Sequence, residues 1–423
     1  MAIILTRSHD RGMKPAKARR PRKDPLTTPP SGFCRIATTQ AQALKHGPGL
    51  CCEVLPRAHA FKMTPTEQPI APHEPMPHRK VIREWLVPLS EQTTVKALVL
   101  LVVDLCIWAA LMFGTVALDD WWAKLLCAVA AGFMIGRLFI IGHDACHQSL
   151  TPHRGLNKWV GRIAFLPSLT TFSLWDIGHN VVHHGYTNLK GFDFVWAPLT
   201  QEEFAQLSPM GRLLDRIYRS GWAPGLYYMI EIWWKKMIFP SAKEMPTRRP
   251  IFTKDSWLVS AFALVWLGGL VAGSIAFDQS IALVLLMGGV VPFLFWCAMI
   301  GFVVYVHHTH VKVSWHDDRS AWSKAQPFVS TTVHLTFPFQ FGTLMHHIME
   351  HTAHHVDMSI PLYKLKQAQA KLENLLPGRI IVQPFSWRWY FQTARACKLY
   401  DFTRQCWTDY KGHATSLPKP QAA

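Results

Sequence analysis

The sequence predicts an all-α integral membrane protein: four transmembrane helices in two hairpins, beneath a cytoplasmic helical cap that holds a histidine-rich dinuclear metal site. Three observations carry this expectation. Of the 423 residues, 49% are hydrophobic and 18 are tryptophan. Four apolar runs reach the roughly 20 residues that a helix needs to cross a bilayer. Eight histidines fall into three tight clusters beyond those runs: His143 with His147, His179 with His183 and His184, and His351 with His354 and His355.

Residues 1–80 carry 14 basic and 5 acidic side chains, so more than half of the net charge of +17 sits in a proline-rich arm with little apolar periodicity. Such a segment is expected to be disordered. It lacks the apolar core of a secretory signal. Basic residues without interleaved aromatics give no nucleic-acid interface. Met63 opens a more ordinary start, which leaves two readings of the arm: translated, or upstream of the true start. The nine cysteines contain no CxxC pair, which excludes a zinc ribbon and an iron–sulfur ligand set.

The main domain is expected over 81–376, with spans at about 97–118, 123–142, 257–277 and 281–306. The links inside each pair of spans carry Asp119, Asp120 and Asp278, whereas the loop from His143 to Lys254 is studded with arginine and lysine. By the positive-inside rule that loop is cytoplasmic, and both termini share its side. Trp159–Trp175 and Tyr227–Phe239 are too short or too broken to span and are expected at the interface. Residues 377–423 read as a polar cytoplasmic tail. Asp104 lies inside the first span, where a carboxyl needs a partner; Arg137 on the second span is the candidate.

At about 100° per residue, the histidines of each cluster lie on or near one face of a helix. A lone histidine is usually a satisfied core or surface residue, but three clusters on one apolar chain are ligand sets. Imidazole suits first-row transition metals, and eight ligands are too many for one ion and about right for two. The fourth run is 26 residues long, about 39 Å of helix against a hydrocarbon core of about 30 Å. Its end therefore projects above the membrane with His307, His308 and His310, and a ninth ligand is expected there, His308 first and His310 second. Asp144 and Asp357 are expected to orient ligand rings, as carboxylates beside metal-bound histidines usually do. HExxH is absent, and no glutamate is followed three residues later by histidine, so neither a zinc protease nor a ferritin-like carboxylate site is indicated.

The segments HDACH, HNVVHHGYTN and IMEHTAHHVDMSIPLYKL, with 31 residues between His147 and His179, resemble the three histidine boxes of the membrane fatty acid desaturases. HHTH after the last span is similar to a QHTH element of bacterial acyl-lipid desaturases of the delta-12 type. The resemblance covers about residues 85–376. It implies two Fe ions bound by His143, His147, His179, His183, His184, His351, His354 and His355, with O2 as co-substrate. It further implies an acyl lipid or acyl thioester substrate, and a separate ferredoxin-like or cytochrome b5-like donor, since no fused His-Pro-Gly-Gly signature is present. The expected reaction is insertion of a cis double bond, mid-chain or methyl-end, in a bacterial inner membrane. Carotenoid hydroxylase or ketolase and alkane hydroxylase share the same superfamily pattern, and a metal transporter or sensor is the alternative from another class. One departure stands out: the second box has three residues before its HH pair where two are commoner, which would turn His179 by about 100° on an α-helix.

Overall fold

The computed structural model describes residues 68–419 apart from Pro246 and Gln326, so most of the basic arm, with Met63, lies outside the described residues. The chain enters on a short amphipathic helix, α1 (Arg79–Leu86), which buries Ile82, Trp85 and Leu86. Four helices are long and apolar enough to cross a membrane: α2 (Thr94–Ala117), α3 (Trp121–Cys146), α5 (Pro250–Ala276) and α6 (Ile281–His308). Between the pairs lies α4 (Arg154–Phe165). Each span starts or ends some residues beyond its apolar run. Hydropathy marks the lipid-facing stretch, whereas the helix continues for as long as its backbone bonds and packing allow. Thus α3 carries on through His143, and α5 begins seven residues early at a proline, which has no N–H to leave unpaired in the first turn.

Helix α2 packs along α3, α3 along α6, and α5 against α2 and the first turns of α6. Buried polar groups fasten this bundle. The Lys124 ammonium, fully buried, donates to the carbonyls of Thr115 and Val116 in the last turn of α2 at 3.1 and 2.9 Å, where the cation also meets the negative end of the helix. Arg162 of α4 forks onto Asp255 of α5 at 2.9 and 3.1 Å, and the same carboxylate accepts from the Ser173 amide. Arg137 does pair with Asp104, at 2.9 Å, and a third residue, His346, joins them at 2.7 Å.

The remaining chain folds over one end of the bundle. Helix α7 (His351–Val356) packs on α8 (Leu365–Leu375), and both share a core with α1 through α4. Two expectations are corrected here. The fold is not purely helical: β1 (Val333–Thr336) pairs in parallel with β2 (Ile381–Pro384), and β3 (Leu399–Asp401) pairs antiparallel with β4 (Cys406–Thr408). Residues 377–419, expected as a polar tail, hold regular elements. They include α9 (Trp387–Ala396) and bury Tyr390, Tyr400 and Trp407 against Trp196, Tyr305 and Trp315. The indole N–H of Trp407 donates to the His310 carbonyl at 3.0 Å, so this segment buttresses the end of α6. The aromatic side chains supply an apolar cluster that charge counting hides.

Candidate metal centre

Each histidine cluster reaches the centre from a different element. His143 sits in the last turn of α3, and His147 caps it. His351, His354 and His355 occupy the single short helix α7, spaced by three and four so that all point one way. His308 closes α6.

The second cluster lies on a π-helical stretch, Asp176–His183. There the His184 amide bonds to the His179 carbonyl at 2.9 Å, five residues back rather than four. This wider turn absorbs the extra residue of the box. His179 and His184 come onto the same side, and His183 is turned to the other.

The described residues hold two groups of imidazoles able to grip a metal ion. One is His143, His147, His179, His184 and His354; the other is His183, His308, His351 and His355; within each, the candidate ligand atoms lie within 4.8 Å of one another. The spacing inside the first group is tight. Nε2 of His143 is 2.7 Å from that of His179 and 3.3 Å from that of His147, and His184 Nε2 is 3.1 Å from both His179 and His354. In the second group, His308 and His351 approach to 3.0 Å through the same atoms. Ring nitrogens at about 2.0–2.1 Å from a metal and at right angles to one another are about 3 Å apart, so the donor set fits a metal in each group.

Charge points the same way. Burial, reinforced by the neighbouring rings, drives the imidazoles of His179, His184, His354 and His355 well below the ordinary histidine range, which favours the neutral form that a metal would need. Nδ1 of His147, His184 and His354 and Nε2 of His355 are buried without a hydrogen-bond partner.

The other candidates separate clearly. His310 belongs to neither group: its Nδ1 accepts from the Lys312 amide at 3.0 Å, and its Nε2 faces Gln383. His307 stacks on His351 with ring centroids 3.9 Å apart. Asp144 and Asp357, expected to orient ligand rings, spend their carboxylates on other partners. Asp144 accepts from the Leu362 amide at 3.0 Å, and Asp357 accepts from Arg83 at 3.0 Å and from Ser359. They pin the chain on either side of the boxes instead of the rings within them.

The orienting contacts come from residues that sequence reasoning missed. Asp193 faces His183 Nδ1, the Thr187 hydroxyl lies 3.3 Å from His355 Nδ1, and the Thr331 carbonyl lies 3.3 Å from His308 Nδ1. A TN pair just after the second box was the only available signal, and it carries no ligand pattern.

An apolar cavity opens onto these rings. Phe139, Trp175, Tyr228, Ile300, Val303 and Ile348 line it, together with His143, His179, His183, His308 and His351. Trp175 lies nearly parallel to the His179 ring with centroids 4.8 Å apart, which fixes that imidazole at the cavity wall.

A family model described as "Fatty acid desaturase" matches residues 119–387. The sn-1 oleoyl-lipid 12-desaturase of a Picosynechococcus species is 28% identical over 293 residues, which cover 68% of this chain and 80% of the relative. The enzyme of the same name from a Synechocystis species is 27% identical over 348 residues, 80% of this chain and 94% of the relative. An sn-1 acyl-lipid omega-3 desaturase (ferredoxin), also from Synechocystis, is 28% identical over 315 residues, 73% and 83% of the two chains.

Proposed function

The chain belongs to the fatty acid desaturase family, and from that premise we propose that it inserts a cis double bond into an acyl chain of a membrane lipid. The single observation that carries this reading is the meeting of two imidazole groups in the wall of one apolar cavity. The names of the relatives supply the acyl lipid and narrow the position to the mid-chain or methyl end; their being desaturases favours this reading over an oxygenated product or metal transport.

In this reading His143, His147, His179, His184 and His354 hold one iron, and His183, His308, His351 and His355 the other. When bound, the pair of irons supplies activation of O2, which accepts two electrons from the substrate and two from a donor and leaves as water. The protein residues position and exclude. Phe139, Ile300, Val303 and Ile348 hold the chain in a dry cavity and bring one pair of methylenes to the imidazole wall. A single methylene is worth only about 1–3 kcal/mol in an apolar pocket, so the bond position must be set by the depth of the cavity rather than by affinity.

The reductant is a separate carrier, a ferredoxin-like protein being favoured by the omega-3 relative's name. The basic loop between α3 and α5 supports a cytoplasmic site and two membrane hairpins, with the folded segments as a cap in a bacterial inner membrane, 81–376 as the desaturase domain, and both termini on the same side.

Expression in a host whose lipids contain oleate but no dienes, followed by gas chromatography of the acyl chains, tests the reading. A cis diene that forms only with O2 supports it. Hydroxylated or ketone products from iron-loaded protein would overturn it.

A further inference from the structure

The segment Phe337–Glu350, which joins β1 to α7, is apolar on two opposite sides. Inside, Met345, Ile348 and Met349 pack with Ile140 of α3 and Val303 of α6, and Ile140, Val303 and Ile348 together form part of the cavity wall. Outside, Phe339 is 94% exposed and Leu344 53% exposed. Phe337 and Phe341, flanking Phe339, turn inward against the same cluster, so Phe339 projects alone from a chain held on both sides.

The ties of this segment to the bundle fix its depth. Arg137 donates to the Leu344 carbonyl, and His346 pairs with Asp104 at 2.7 Å. Arg137 lies nine residues before the end of α3, and Asp104 ten residues inside the start of α2. At 1.5 Å per residue these points are about 14 Å and 15 Å from the helix ends. Helix α3 is about 39 Å long against a hydrocarbon core of about 30 Å, so even if all its excess projects toward the boxes, Arg137 lies below the membrane surface. The segment contains one helical turn, Phe341–Leu344, and its irregular backbone on either side is tolerated at that depth where protein covers it, as Arg137 and the inward phenylalanines do here. Both ends of the segment also hold non-glycine residues in the left-handed region, Phe339 and Gln340 at one end, His346 and His347 at the other.

We propose that Phe337–Glu350 is the lateral portal through which the acyl chain of a bilayer glycerolipid enters the cavity. Phe339 and Leu344 stand among the lipid chains, and Ile348 is the inner leaf. This rests on the acyl-lipid reading above.

The test uses the full iron-loaded chain in phosphatidylcholine vesicles doped with an oleoyl phosphatidylcholine that carries a diazirine near the methyl end of its chain. Without O2 there is no turnover; the sample is photolysed and labelled peptides are mapped by mass spectrometry. The expected result is label on cavity residues around Ile300, arriving several-fold more slowly in Phe339→Asp, with label on the outer faces of α2 and α5 unchanged. A second variant, Phe339→Ala, removes the ring without placing a charge among lipid chains and should slow cavity labelling in the same direction; equal iron content and equal melting temperature of the three proteins check that the fold is kept. Cavity labelling at the same rate in all three proteins, or confined to routes remote from Phe337–Glu350, overturns the portal. Because labelling needs no chemistry, a failed portal is distinguishable from a failed desaturase, which shows as absence of the diene.

Discussion

Nδ1 of His183 lies 3.0 Å from a carboxylate oxygen of Asp193, and both side chains are buried. That carboxylate also accepts from the Val195 amide through the same oxygen and from the Asn188 amide through the other. It holds His183 with its N–H toward Asp193 and Nε2 free for the second imidazole group. Asp193→Asn would turn its amide N–H₂ toward one of these donors, leaving a clash or an unpaired buried group worth about 1–3 kcal/mol. The expected outcome is a protein that binds its second iron roughly 10–100-fold more weakly. Iron titration followed by metal analysis checks this; unchanged stoichiometry and affinity would show that Asp193 merely shapes its loop.

His308 and His310 are two residues apart yet have separate fates, because α6 ends between them and the chain turns extended at Thr309. His308→Ala should lower iron from two to one per chain. His310→Ala should keep both irons and lose only its contacts near Lys312 and Gln383. Loss of an iron in the second variant rather than the first would reassign the ninth ligand.

How far the sequence could be read follows from the range of each signal. The histidine boxes were legible because ligands spaced by three to five residues on one element leave a local pattern, and histidine is too scarce to repeat it by chance. Asp193 was not. It sits ten residues beyond its partner, in a loop whose conformation no periodicity encodes. The spare residue of the second box looked like a misplacement of His179 by 100° on an α-helix, but a π turn gives it a place. Strands of three or four residues such as β2 and β3 fall below the length at which alternation is visible, so residues 377–423 passed for a tail.

Removing the metals should loosen the elements that carry the rings more than the long apolar helices. The elements that carry the rings, the π stretch, α7 and the end of α6, are joined across the centre chiefly by imidazoles whose inward nitrogens meet only one another. A bound ion at a thousand times its dissociation constant stabilises the folded state by about 4 kcal/mol. Chelated protein should therefore melt at a lower temperature, with faster amide exchange in His351–Val356 than in the middle of α2. Equal loss of protection in both would mean that the metals support the whole bundle.

The group of Asp104, Arg137 and His346 gives the sharpest stability test, because burying charge is costly and only mutual pairing offsets it. Asp104 is 1% exposed and receives Arg137 through two nitrogens, at 2.9 Å and 3.1 Å. Asp104→Leu alone strands a guanidinium in an apolar setting and should destabilise by about 3–5 kcal/mol. Asp104→Leu combined with Arg137→Met removes both charges and should recover most of that loss. Exchanging the two charges should not rescue the fold, since arginine at 104 would face His346 and an acid at 137 would face the Leu344 carbonyl that Arg137 now serves. Thermal melts of the three variants in one detergent decide the matter. Additive losses in the Leu/Met double variant, or full recovery in the exchanged pair, would show that the three side chains do not act as a unit.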